Sequence, residues 1–154
     1  MIVTIAICTW NRCSLLGQTL GQMTNLVIPD GIEWELLVVD NNSTDSTEEV
    51  VKSFATNLSN RYVFDPKSGK SNALNTASRR AIGEYILWTN DDALVDSGWM
   101  TGYCQALECH PGAGFFGGLV EPLSEGSPPK WLKLCPPQIE ATHAIRMVSS
   151  CLSG

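Results

Sequence analysis

Residues Ile2 to Cys8 form an apolar, largely β-branched run. A run of this kind is expected for a strand covered on both faces, as in a parallel sheet. The pattern then alternates. After the polar turn Thr9-Trp10-Asn11-Arg12, Leu16, Leu20, Met23 and Val27 recur at helical spacing until Pro29-Asp30-Gly31 breaks the helix. Glu35 to Val39 reads as a second strand ending at Asp40. The following Asn41 to Glu49 stretch is a helix-start signal, in which Asp45 with Glu48, or Ser46 with Glu49, can form a capping box. Val50, Val51, Phe54 and Leu58 supply that helix with its buried stripe. Arg61 to Phe64 is a third strand. Ala73, Ala77 and Ala81 stack along a further helix, with Gly83 as its C′ residue. Glu84 to Trp88 is a fourth strand, which places Trp88 in the core. Ser97 caps a helix reaching about Cys109, and Phe115 to Val120 reads as a fifth strand.

This strand–helix order implies an α/β chain with a mainly parallel sheet and helices on both faces. From Glu121 the character changes, since Pro122, Pro128, Pro129, Pro136 and Pro137 exclude long regular elements. The expected division is a core over 1–120 and an irregular segment over 121–154.

In an open parallel sheet, ligands bind beyond the carboxyl ends of the strands. Here those ends run into Thr9-Trp10-Asn11-Arg12, Asp40-Asn41-Asn42-Ser43, the Gly69-Lys70-Ser71 turn and Asn90-Asp91-Asp92. One polar loop could be ordinary capping; four on one edge point to a site. Asp91 and Asp92 repel each other unless a cation joins them, and a hard divalent ion such as Mn2+ or Mg2+ suits two carboxylates shared with phosphates. Asp40 either accepts hydrogen bonds from a ribose or base edge or closes an Asx-turn. Lys70 and Arg12 are cations able to meet a phosphate, and Trp10 could stack on a base. Gly69-Lys70-Ser71 also invites a phosphate-loop reading, but Phe64 stands where that motif needs its first glycine.

The balance of 10 basic and 16 acidic residues, a formal charge of −6 in 154 residues, excludes a broad nucleic-acid footprint. An apolar fraction of 44% against 17% charged residues excludes an intrinsically disordered tail. No stretch approaches the ~20 apolar residues of a membrane span, and the N-terminus lacks a signal-peptide pattern. Six cysteines without any C-x-x-C pair suggest buried thiols and a cytoplasmic location, at most peripheral at the inner membrane face. His110 and His143 stand alone, without ligand or triad spacing.

Taken together, Ile7-Cys8-Thr9-Trp10-Asn11-Arg12, Val38 to Asp45, Gly69 to Asn75, Gly83-Glu84-Tyr85-Ile86, Asn90-Asp91-Asp92 and Gly117-Gly118 resemble the family 2 glycosyltransferases. The resemblance implies a Rossmann-like GT-A fold over residues 1–120 that binds a nucleotide diphosphate sugar. It implies that Thr9, Asn11 and Arg12 line the nucleotide pocket, that Asp40 meets base or ribose, and that Lys70 lies near nucleotide or phosphate. Asp91 and Asp92 match the family's D-x-D metal motif, with Asp92 as the metal ligand and Asn90 in place of the first Asp. The implied reaction is displacement at the anomeric carbon, with Mn2+ or Mg2+ neutralising the leaving diphosphate and an acceptor hydroxyl of a glycan, lipid or protein attacking. In the family the base follows the Gly-Gly strand; Asp96, Glu121, Glu125 and Glu140 match no such position, so no base is nominated. The expectation is therefore a truncated chain with an incomplete acceptor part. Two other readings stand beside transfer: a nucleotide-sugar-binding fragment without activity, and a phosphate-loop nucleotidase.

Overall fold

The computed structural model describes residues 1–123 and 145–148. The chain divides into two compact units, Met1–Thr24 with Asp30–Asp92, and Asn25–Pro29 with Ala93–Gly154.

The first unit is a four-stranded sheet in the order β3-β2-β1-β4, built from β1 (Ile2–Thr9), β2 (Glu33–Asp40), β3 (Asn60–Phe64) and β4 (Tyr85–Asn90). Every pairing is parallel. Right-handed crossovers then put α1 (Cys13–Met23) and α2 (Thr47–Ser53) on one face and α3 (Lys70–Arg80) on the other. On the α3 face, Ala6, Leu37 and Val39 pack with Ala73 and Ala77. The two alanines let the helix lie close to the sheet. Val3, Ile5, Ile7, Leu36 and Val38 alternate to the opposite face, and all five are buried, as are Leu16, Leu20 and Met23 of α1 and Val51 of α2. This two-sided burial is what the uninterrupted apolar runs required.

Several elements end elsewhere than their patterns predict. α1 stops at Met23, not at Pro29: the Thr24 hydroxyl donates to the Gly21 carbonyl, and Val27 is exposed, its N–H bonded to Ser97 O. α2 closes at Ser53, leaving Leu58 buried beyond it. Neither capping box forms, because Asp45 serves the start of α1 as well, accepting from Cys13 N at 3.0 Å and from Thr47 N at 3.2 Å. Glu48 instead pairs with Lys52 at 2.6 Å. Gly83 is no helix cap. A Cβ there would strike the Thr4 backbone nitrogen and lie 2.8 Å from the Val3 carbonyl carbon, so glycine is needed where the chain crosses β1 on its way into β4. β4 is an end strand of the four, and Trp88 is consequently 39% exposed, not core.

The second unit holds a short sheet in the order β5-β7-β6, from β5 (Ala93–Val95), β6 (Leu119–Pro122) and β7 (Ile145–Val148). β7 runs parallel to β5 and antiparallel to β6. The expected fifth parallel strand over Phe115–Val120 is thus displaced to Leu119–Pro122, and Phe115 is 88% exposed. β5 was not legible, being three residues long. α4 (Trp99–Cys109) begins after Gly98 and not Ser97; the turn is tied by Asp96, which accepts from Gly98 N at 2.9 Å. Trp99 and Tyr103 stack edge to face at 5.5 Å. Cys135, Cys151, His143, Trp131, Glu125, Glu140 and the prolines from Pro128 onward lie outside the described residues.

Candidate functional site

Parallel pairing brings the four strand ends to one edge: Thr9 pairs with Asp40, Asp40 with Phe64, and Cys8 with Asn90. The loops that leave this edge are tied to one another. Asn11 adopts φ +51° and Asn42 φ +68°, left-handed positions that asparagine tolerates. Asn11 N donates to Ser43 Oγ at 2.9 Å, and Asn11 Oδ1 accepts from Thr44 N at 2.7 Å. Asn41 links the second loop to the third: its Nδ2 donates to Lys67 O at 2.9 Å and its Oδ1 accepts from Gly69 N at 2.7 Å. Asp65 fastens the far side of that loop, accepting from Lys67 N and from Thr76 Oγ1 of α3. The Thr76 hydroxyl and the Lys67 N–H hold the Asp65 carboxyl below its usual range.

These loops enclose a cavity of about 470 Å³, lined among others by Thr9, Trp10, Arg12, Lys70, Asn90, Asp91 and Asp92. Asp91 is buried, and Thr9 Oγ1 donates to its Oδ2 at 2.8 Å. Its backbone carbonyl accepts from Thr19 Oγ1 of α1 at 2.9 Å. Arg12 reaches both carboxylates, with Nη1 at 3.4 Å from Asp91 Oδ1 and 3.1 Å from Asp92 Oδ2. Burial pushes the Asp91 carboxyl above its usual range against the Thr9 hydrogen bond and the Arg12 charge, and the Asp92 charge adds to the upward push. A desolvated carboxylate beside a second one is a strained anion that a cation relieves. Asp92 is 28% exposed at its side chain and faces the opening more freely. Lys70 is the first residue of α3, and Trp10 is 60% exposed at the rim.

Of the seven residues singled out in the sequence, Thr9, Arg12, Lys70, Asp91 and Asp92 meet around this cavity. Asn11 and Asp40 are not among its lining residues. Asn11 clasps the second loop, as described. Asp40 is 2% exposed and ties back the start of the second loop by accepting from Ser43 N, three residues on, at 2.8 Å, while its other oxygen accepts from Tyr62 Oη at 2.7 Å. Thr19 and Asn41 escaped the sequence reading. A threonine on the apolar stripe between Leu16 and Leu20 was the available signal, since a buried hydroxyl needs a partner.

Cys8 also lines the cavity, and burial raises its thiol from 9.0 to about 11. At equal pH it therefore carries about 100-fold less thiolate than an unperturbed cysteine. Iodoacetamide at pH 8 is expected to modify the exposed Cys109 and to spare Cys8, with Cys8 labelling rising only towards pH 11. Mass-spectrometric mapping checks this; equal labelling of the two at pH 8 would show that the thiol is not shielded.

The residues offer oxygen donors suited to a hard divalent cation: two adjacent carboxylates and the Asn90 amide, around a pocket that already draws in the Arg12 guanidinium. Among the described residues no cluster of three His, Cys, Asp or Glu side chains exists, so such an ion would share its remaining positions with water or phosphate oxygens. Among those residues no helix is long and apolar enough to cross a membrane.

Comparison with known proteins places this arrangement. The chain is 32% identical over 117 residues to validoxylamine A glucosyltransferase of Streptomyces hygroscopicus subsp. limoneus, covering 72% of this chain and 24% of that protein. It is 26% identical over 95 residues to the poly-beta-1,6-N-acetyl-D-glucosamine synthase of Staphylococcus epidermidis, covering 61% of this chain and 22% of that one. The chain thus spans about a quarter of the length of these curated relatives. Among solved structures, the mannosyltransferase PcManGT from Pyrobaculum calidifontis, in complex with GDP-Man and Mn2+, superposes with a TM-score of 0.64 at 28% identity, over 80% of this chain and 35% of that one. S. aureus TarS in complex with UDP-GlcNAc shares the fold at a TM-score of 0.65 and 20% identity, over 84% of this chain and 37% of that one. The parallel sheet and its flanking helices are those of a Rossmann-like GT-A fold. Residues 4–146 match the profile of glycosyl transferase family 2, and the chain belongs to that family.

Proposed function

We propose that this chain is the donor-binding part of a glycosyltransferase that takes a nucleotide diphosphate sugar together with Mn2+ or Mg2+. One observation carries the reading: four strand ends in register gather Thr9, Arg12, Lys70, Asp91 and Asp92 around a single cavity. Asp92, with Asp91 beside it, would hold a divalent ion, which would supply charge neutralisation for a leaving diphosphate. Lys70 and Arg12 offset phosphate charge that an acidic protein would otherwise repel. Trp10 offers a flat apolar face at the rim for the base, while Asp40, buried and bonded to Ser43 N and Tyr62 Oη, holds the neighbouring loop in shape. Thr9 fixes the orientation of Asp91 by its hydrogen bond. The acceptor is a hydroxyl of a glycan, lipid or protein.

Binding without transfer is the second reading, and one observation favours it. Among the described residues lining the cavity, the carboxylates are Asp91 and Asp92, both engaged by Arg12, so none is free to deprotonate an acceptor. A phosphate-loop nucleotidase fits less well, because the Gly69 N–H is taken by Asn41 and is not offered to a phosphate.

Calorimetry with UDP-, GDP- and dTDP-sugars, with and without Mn2+, tests the proposal. Metal-dependent binding of one of them is the expected result, and release of free sugar or transfer to an acceptor separates the enzyme from the binding fragment. ATP binding that exceeds all three would overturn it.

A further inference from the structure

Arg12 is the residue whose contacts exceed a nucleotide-contact role. Its Nη1 bridges Asp91 Oδ1 and Asp92 Oδ2, oxygens of the two carboxylates that would hold a divalent ion. One positive charge faces two negative ones, so the clasp leaves the carboxylate pair only partly neutralised. Arg12 is also 51% exposed at its side chain, and an ion pair with so exposed a partner is held by little more than about 1 kcal/mol. It sits at the start of α1, in the loop that lines the cavity alongside Lys70 across the pocket. A guanidinium forced off the carboxylates can meet an anionic ligand within that cavity, which Arg12 itself lines.

We infer that Arg12 is the resident counter-ion of the Asp91–Asp92 pair and exchanges places with the metal, so that it holds the empty site together and moves onto the diphosphate when the cation enters. The inference rests on the donor-binding reading above. Cation and guanidinium cannot occupy the same carboxylate oxygens, because like charges at such separation repel strongly in a partly desolvated site. A metal ion that takes Asp91 Oδ1 or Asp92 Oδ2 therefore displaces Arg12, and each diphosphate that captures Arg12 clears the way for metal. Metal and nucleotide then bind with positive coupling, reciprocal by linkage. Arg12 is in this sense a positioning residue that sets metal affinity from outside the ligand set.

The test is titration of the full chain with Mn2+ alone, read from the loss of the free-Mn2+ paramagnetic resonance signal, for wild type and Arg12→Gln. The variant is expected to bind Mn2+ about fivefold more tightly, which is the exposed ion pair's contribution returned to the metal. Repeating the titration in saturating UDP and in saturating GDP is expected to raise Mn2+ affinity in the wild type and to raise it less in the variant. If Arg12→Gln does not fold, Arg12→Met carries the same comparison with the same sign, since it too removes the charge that meets both carboxylates through Nη1. Equal or weaker Mn2+ binding by the variant overturns the exchange while leaving the donor-binding reading intact. Absence of Mn2+ binding in both proteins, with and without either nucleotide, overturns both.

Discussion

Asp92→Ala is expected to weaken Mn2+-dependent nucleotide-diphosphate binding by at least about 100-fold while leaving the melting temperature of the ligand-free chain nearly unchanged. Loss of a group that merely orients a metal ligand already costs about 10–100-fold in affinity, so removal of a direct ligand stands at or beyond the top of that range. Stability is spared because Asp92 makes its ion pair with the half-exposed Arg12, and pairs of that kind contribute about 0–1 kcal/mol. The neighbouring Asp91 is the contrasting case. It is buried, bonded to Thr9 and anchored through its carbonyl to Thr19, so its replacement disturbs fold and site together. Calorimetry with and without Mn2+, paired with a thermal melt, checks the expectation. Unchanged metal-dependent affinity in Asp92→Ala would remove Asp92 from the metal site.

Glu35→Ala is expected to destabilise the chain by about 3 kcal/mol without touching the site's chemistry. Glu35 lies on β2 towards the opposite end of the sheet and is 7% exposed. Its Oε1 accepts from Thr4 Oγ1 at 2.8 Å and from Ile82 N at 2.9 Å, and its Oε2 pairs with Arg61 at 3.0 Å. The Thr4 hydroxyl in turn accepts from Gly83 N at 2.9 Å. One carboxylate thus joins β1, β2, β3 and the turn that delivers the chain into β4. Truncation leaves the buried Thr4 hydroxyl without its acceptor, at a cost of about 1–3 kcal/mol, and takes the partner from the part-buried Ile82 N–H as well. Arg61 is 40% exposed and recovers water, which keeps the total below the cost of a fully buried broken pair. The loss is a large share of a small domain's stability. Urea unfolding measures it, and Glu35→Gln is expected to recover part of it by keeping an acceptor oxygen. An unchanged midpoint for Glu35→Ala would show that the four elements are held without it.

The sequence announced the sheet of the first unit well because both-face burial leaves a strong local signature. The runs Ile2–Cys8 and Glu35–Val39 need no partner to be recognised as inner strands, and the polar residues following them mark the sheet edge at once. Where information was non-local, reading failed. Glu35 looks like an ordinary charged strand residue, since its partners lie 26, 31 and 47 positions away. Asp45 carried a local capping signature, yet it is drawn to the Cys13 N–H, 32 positions away. The exposure of Trp88 follows from β4 taking an end position, which apolar content alone does not report. Within the site, residues at strand ends were legible, whereas Thr19 and Asn41 act through backbone groups of other loops. Their roles depend on geometry that no spacing encodes.

The pairing of Thr9 with Asp91 spans 82 positions, and it forms only because β4 docks beside β1 after the chain has laid down two intervening strands. The hydrogen bond that orients Asp91 is therefore closed by the last of the four strands in chain order, and a chain ending before Asp91 lacks both carboxylates. On the donor-binding reading proposed above, divalent-ion affinity would follow the seating of β4, and metal capture would report that docking.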